Sequence, residues 1–201
     1  MKRFHLWCAA ALLPLLAACS FSLIPEADVT ENGIFDLASP AAIGELPFTI
    51  DVNAFSNECA GRYKMVFREK GNRIVVDEFN RWSMPPGAML TKYLTARFAS
   101  QSGNHRKPAF ELDGTVLNCE MDKEKKHVDL MVHFFIVERG DDAFKITGTE
   151  EYVIQVDGTS ADAFADGMNK AAAKFADHVV SILKEELRKR ADEAKAAPEK
   201  K

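Results

Sequence analysis

The chain has 201 residues, of which 47% are hydrophobic, and a formal net charge of −4. This length is enough for one domain with a substantial apolar core. With 30 acidic against 26 basic residues, the charge balance argues against a nucleic-acid partner, because such proteins carry clustered positive charge.

The first 18 residues have the pattern of a secretory signal peptide. Lys2 and Arg3 precede an apolar run at 6–16, and the small residues Ala17 and Ala18 follow it. This run is too short to span a bilayer, so the pattern predicts a signal that is removed.

The sequence Leu16-Ala17-Ala18-Cys19 resembles the bacterial lipobox. The resemblance implies cleavage before Cys19, diacylglycerol on its thiol and a fatty acid such as palmitate on the new amine. Several acyl chains make a stable anchor where one would be marginal. Ser20 follows instead of aspartate, which by the proteobacterial sorting rule predicts the periplasmic face of the outer membrane over the inner membrane. The alternative is an ordinary signal with a chance cysteine.

Composition then divides the mature chain into three parts. Residues 19–33 mix turn formers and acidic residues without periodicity, so they are predicted to be a lipidated tether. Residues 34–190 are predicted to form the domain, and the charged residues 191–201 a solvated tail. Removal of the signal would leave 183 residues with a net charge of −6.

The first half of the domain reads as strands followed by a helix. Short strands are predicted at 34–40 and 46–55, and the turn at 70–72 splits 62–79 into a hairpin. Apolar residues then recur every three or four positions up to Phe98, which predicts a helix that begins at Pro85 and Pro86.

Three strands and a long helix are predicted in the second half. The strands, at 109–121, 127–140 and 143–157, have short connections that favour an antiparallel meander. In the middle strand both faces carry apolar residues, which predicts burial on both sides. A helix from 161 to 190 has an apolar stripe. The predicted fold is therefore α+β, with two helices packed on an antiparallel sheet of about five or six strands.

Two cysteines, Cys59 and Cys119, remain in the predicted domain. Because the periplasm is oxidising, we expect a disulfide between them. The alternative is a pair of buried thiols that pack as small hydrophobic groups.

The sequence carries no recognisable catalytic motif. It has no G-x-S-x-G elbow, no phosphate-binding glycine loop and no pair of histidines four residues apart. Adjacent acidic pairs such as Glu150 and Glu151 point to opposite faces of a strand, so they do not converge on a substrate. We therefore predict a protein that is not an enzyme and binds no metal or cofactor.

Two phrases carry a family resemblance. "EFNRWSMPP" at 78–86 and "IFDL" at 34–37, between a lipobox and a long Ala-rich helix, resemble the ABC-type transport auxiliary lipoprotein family. The resemblance covers Cys19 to about Leu187. It implies a non-enzymatic component of an intermembrane lipid transport system, whose partners are an MCE-domain protein and an ABC permease and ATPase.

The phrase at 78–86 also suggests a contact surface. Arg81, Trp82, Met84 and Pro85 are predicted to bind a partner, since arginine and tryptophan are frequent anchors at interfaces. Alternatively, Trp82 caps the core and Arg81 pairs with an acidic residue such as Glu78.

Two further interpretations stay open. The chain could be a structural or regulatory outer-membrane lipoprotein that activates an envelope-synthesis enzyme by protein contact. An exposed sheet edge could also pair between copies and form a homo-oligomer.

Overall fold

The computed structural model describes residues 32–99 and 109–196. The predicted signal peptide, Cys19 and the predicted tether up to residue 31 lie outside the described residues, as does the end of the predicted tail at 197–201. In chain order the elements are β1 (Ile34–Phe35), β2 (Thr49–Val52), β3 (Ser56–Asn57), β4 (Lys64–Arg68), β5 (Ile74–Trp82), α1 (Pro86–Phe98), β6 (Ala109–Asp122), β7 (His127–Glu138), β8 (Asp141–Gln155) and α2 (Ala161–Ala196).

All eight described strands belong to one mixed sheet, with the main order β1-β5-β4-β6-β7-β8. The predicted meander is confirmed, since β6, β7 and β8 pair antiparallel in sequence. Along its other edge, β6 pairs in parallel with β2, then β3, then β4. The prediction of an antiparallel sheet with five or six strands was therefore wrong, although the α+β class is correct.

The predicted hairpin is formed by β4 and β5, with Glu69 N donating to Arg73 O at its turn. The register slips between Lys64 and Val66, so that the segment 77–80 of β5 forms a bulge. The predicted opening strand is reduced to the two residues of β1, which pair in parallel with the end of β5.

Both helices pack on the same face of the sheet. Pro86 lies in the first turn of α1, as predicted. Ser160 caps α2, because its Oγ accepts a hydrogen bond from Ala163 N at 3.2 Å. The helix continues to Ala196, six residues beyond its predicted end. The predicted stripe of α2 faces the sheet, and it contributes these buried residues: Phe164, Met168, Ala171, Phe175, Val179 and Leu183.

The other face of the sheet is open. Inward-facing residues of β7 such as Val132 and Phe134 are buried, but Met131 and Phe135 on the opposite face are half-buried and Val137 is exposed. The prediction that the middle of this strand is buried on both sides was therefore wrong, because neither described helix covers the outer face.

Candidate interaction surface

The junction between β5 and α1 is held by backbone hydrogen bonds from both sides. Trp82 N donates to Tyr63 O at 2.7 Å, and Arg81 N donates to Gly33 O at 3.0 Å. Ser83 N donates to Phe35 O at 2.6 Å. Strand β5 is thus fixed between β4 and β1 just before the helix begins.

Trp82 belongs to the core. Its side chain is 1% exposed and lies edge-on to Phe164 of α2, with ring centroids 5.1 Å apart. The prediction that Trp82 binds a partner is therefore corrected: large aromatic burial accounts for this residue, which was the alternative interpretation.

The other predicted contact residues differ in accessibility. Arg81 and Pro85 are exposed, whereas Met84 is half-buried against the core. Since Trp82 faces α2, alternation along the strand places Arg81 on the outer face. The ion pair between Arg81 and Glu78 considered above is not formed in the part of the chain that the structure describes.

Next to this junction, the bulge is stabilised by one carboxylate. Asp77 Oδ1 accepts hydrogen bonds from Phe79 N at 2.8 Å and Asn80 N at 3.0 Å, and Asn80 Nδ2 donates to Asp77 Oδ2. Burial would raise the pKa of Asp77, but these hydrogen bonds outweigh it and lower the pKa. The bulge leaves Phe79 46% exposed.

Exposed apolar side chains concentrate on β1, along β5 and just before β4. We name this set the corner surface. Each of its residues fits an ordinary strand pattern, so the sequence by itself gives no signal for it. It consists of Ile34, Tyr63, Ile74, Val76 and Phe79, which are between 39% and 61% exposed.

Charged residues form a second feature of the open face. Arg68 on β4 binds both carboxylate oxygens of Glu120 on β6, at 2.6 and 2.8 Å. Asp129 on β7 lies opposite Glu120, and its buried Oδ1 has no hydrogen-bond partner among the described residues. Burial, followed by the negative charge of Glu151, raises the pKa of Asp129 to about 6.

Both cysteines are free, buried thiols in the structure. Cys59 Sγ contacts Val116 O at 3.5 Å, and Cys119 Sγ contacts Met168 Sδ at 3.6 Å. The expected disulfide is thus not formed here, and the alternative of packed thiols describes their environment. Burial raises the pKa of Cys59 to about 12 and also raises that of Cys119, so neither is suited to nucleophilic attack.

The described residues also bear on metal and membrane binding. Within 32–99 and 109–196, no group of three histidine, cysteine or acidic side chains is placed to hold a metal ion. No described helix combines the length and apolar character needed to cross a bilayer. Two histidines instead take part in hydrogen bonds: His133 Nδ1 with Thr149 Oγ1, and His178 Nδ1 with the Tyr152 hydroxyl.

The fold and surface define a class: an α+β domain with one face of its sheet covered by helices and the other open. Residues 57–180, more than half of the chain, match the sequence profile of the ABC-type transport auxiliary lipoprotein component family. The chain belongs to this family. Its description associates the protein with an ABC-type transport system and with a lipoprotein anchor in the cell envelope.

Solved structures share the fold. Protein XCC0632 from Xanthomonas campestris is 15% identical, with a TM-score of 0.58, and the match covers 73% of this chain and 92% of that one. A crystal structure of an uncharacterized protein is 12% identical, with a TM-score of 0.57, and covers 76% and 99% respectively. Among curated protein sequences, none matches this chain.

Proposed function

We propose that this protein is a non-enzymatic, membrane-anchored periplasmic component of an ABC/MCE-type system that moves lipid between the two membranes. The observation that carries the proposal is the family match over residues 57–180. The described residues are also compatible with a contact role, since two exposed features, the open sheet face and the β5–α1 junction, are available to other proteins.

The anchor in this proposal is Cys19. Acylation there would hold the domain at the periplasmic face of the outer membrane, with Ser20 favouring that membrane over the inner one. The partners are then an MCE-domain protein, which bridges the periplasm, and the ABC permease and ATPase to which it is coupled.

Contact with these partners is proposed at the β5–α1 junction. Arg81 and Pro85 are exposed there, and Arg81 forms no ion pair with another described residue. An exposed guanidinium can engage a carboxylate through two hydrogen bonds, and its planar geometry limits the side-chain entropy lost for each bond formed. Met84, between these two residues, is half-buried and packs on the core, so it links the contact to the rest of the domain.

The test is a crosslinked pull-down from envelopes with the lipidated full-length chain. We expect recovery of the permease, the ATPase and the MCE-domain protein, with Arg81→Ala reducing recovery and leaving the melting temperature unchanged. Arg188→Ala is the matched control, because Arg188 is also an exposed arginine, on α2. Recovery of an envelope-synthesis enzyme instead would support the regulatory alternative, and equal recovery by both variants would contradict the Arg81 contact.

A further inference from the structure

The corner surface is placed where the chain enters the described domain. Ile34 of β1 is the register partner of Arg81, and Arg81 is in turn the partner of Lys64 on β4. Register partners in a sheet share a face, so Ile34 lies on the open face. Asn32, the first described residue, is two positions away from Ile34.

The outer face of β5 continues this apolar surface. Phe67 faces the helices, because its ring packs on Phe164. Its register partner Val75 shares that face, and alternation therefore turns Ile74 and Val76 outward. On its side away from β4, the pairing of β5 with other described residues is limited to its last two residues, which pair with β1.

Positive charge accompanies these apolar side chains. Arg62 and Lys64 are exposed on either side of Tyr63, and neither pairs with an acidic group in residues 32–99 or 109–196. Asp77, whose carboxylate is held inside the bulge by hydrogen bonds, and the exposed Glu78 carry negative charge, but the exposed cations Arg62, Lys64 and Arg81 outnumber them. Apolar and aromatic side chains mixed with unpaired cations are the combination that binds the surface of an anionic bilayer.

The tether limits how far this surface can lie from the proposed anchor. Cys19 and Asn32 are 13 residues apart, which is at most about 45 Å even when fully extended. A weakly binding surface held this close to a membrane meets it at a high local concentration, so modest affinity is enough for contact.

We propose that the corner surface is a second membrane contact, by which the domain lies against anionic phospholipid headgroups beside its lipid anchor. This inference rests on the lipidation proposed for Cys19. It gives the domain a preferred orientation, with Ile34, Val76 and Phe79 toward the bilayer and Arg81 at the border of the contact.

The experiment uses the full-length lipidated protein in vesicles of phosphatidylethanolamine and phosphatidylglycerol. Single variants Val76→Cys and Phe79→Cys carry an environment-sensitive fluorophore, and Val153→Cys is the matched control, since Val153 is 45% exposed on β8. We expect the emission at 76 and 79 to shift to shorter wavelength and to be quenched by brominated lipid, more strongly with phosphatidylglycerol. The label at 153 should show neither effect.

Other results would overturn the inference. Absence of quenching at 76 and 79 in a chain that floats with the vesicles removes the membrane contact and leaves the anchor intact. If the emission at 76 and 79 shifts to shorter wavelength only after the transporter proteins are added, the surface binds a protein partner instead. A chain that neither carries lipid nor floats contradicts the anchor itself, and the inference with it.

Discussion

The indole ring of Trp82, at the end of β5, packs edge-on against Phe164 near the start of α2, with an angle of 80° between the ring planes. This contact ties the strand that carries the family's sequence phrase to the longest helix. Phe164 also packs on Phe67, so one ring joins α2 to both strands of the hairpin.

Trp82→Ala should lower the free energy of unfolding by about 3–5 kcal/mol, because it opens a cavity around a side chain that is 1% exposed. Urea denaturation followed by circular dichroism measures the loss. Arg81→Ala, one residue away but exposed, should change stability by less than about 0.5 kcal/mol. A small effect at Trp82 would show that the indole is not the core residue described here.

The ion pair between Arg68 and Glu120 should respond asymmetrically to substitution. Arg68→Met leaves the Glu120 carboxylate, which is 7% exposed, without its partner and near Asp129. We therefore expect the free energy of unfolding to fall by about 3 kcal/mol. Glu120→Gln should cost only about 1 kcal/mol, because an amide oxygen still accepts from Arg68 and the guanidinium reaches water. Equal losses in urea denaturation at neutral pH would contradict this assignment.

Asp129 makes stability depend on pH. Its pKa of about 6 in the folded protein exceeds the ordinary 3.8, so the folded state holds this proton more tightly. The contribution of Asp129 to the free energy of unfolding is therefore greatest below pH 3.8. It falls as the pH rises from 3.8 to about 6, and above that it is lowest.

Asp129→Asn removes this ionisation. At neutral pH it should raise the free energy of unfolding by about 1 kcal/mol, a value reduced for the partial exposure of the carboxyl, and near pH 3.8 it should change little. Urea titrations at both pH values measure the difference, with exposed Asp113→Asn as the control. A destabilised variant at neutral pH would mean that Asp129 has a favourable partner.

Gly87→Ala should destabilise the protein although alanine favours helices. A Cβ at Gly87 would lie 2.5 Å from Ser56 O and 2.7 Å from Phe55 O, so the added methyl group forces α1 away from β3. We expect the free energy of unfolding, measured by thermal or urea denaturation, to fall by about 1–3 kcal/mol. Gly44→Ala is the control, since no atom of residues 32–99 or 109–196 lies within 4 Å of its added Cβ. A stabilised Gly87→Ala protein would show that α1 packs less closely.

Thiol chemistry tests the state of the two cysteines. Cys59 and Cys119 should react with iodoacetamide only after unfolding, because both are buried and their pKa values are raised. Mass spectrometry of a non-reduced digest should then find two alkylated peptides. A single crosslinked peptide would instead establish the disulfide that the oxidising compartment suggested.

The amino-acid sequence by itself determined the elements whose signals are local. The stripe from Phe164 to Leu183 predicted α2, the turn at 70–72 predicted the β4–β5 hairpin, and the short connections predicted the β6–β8 meander. These signals are readable because side-chain periodicity and turn residues depend on neighbours within a few positions.

Only the tertiary structure decided the rest. Strands β2, β3 and β4 pair in parallel along β6 although the segment containing α1 separates them from it in the chain, and periodicity does not specify a distant partner. The same long-range packing buried Trp82 under α2 and left Arg81 exposed beside it. Two adjacent residues that look alike as interface candidates thus differ in role, because strand alternation turns one toward the helices and the other toward solvent.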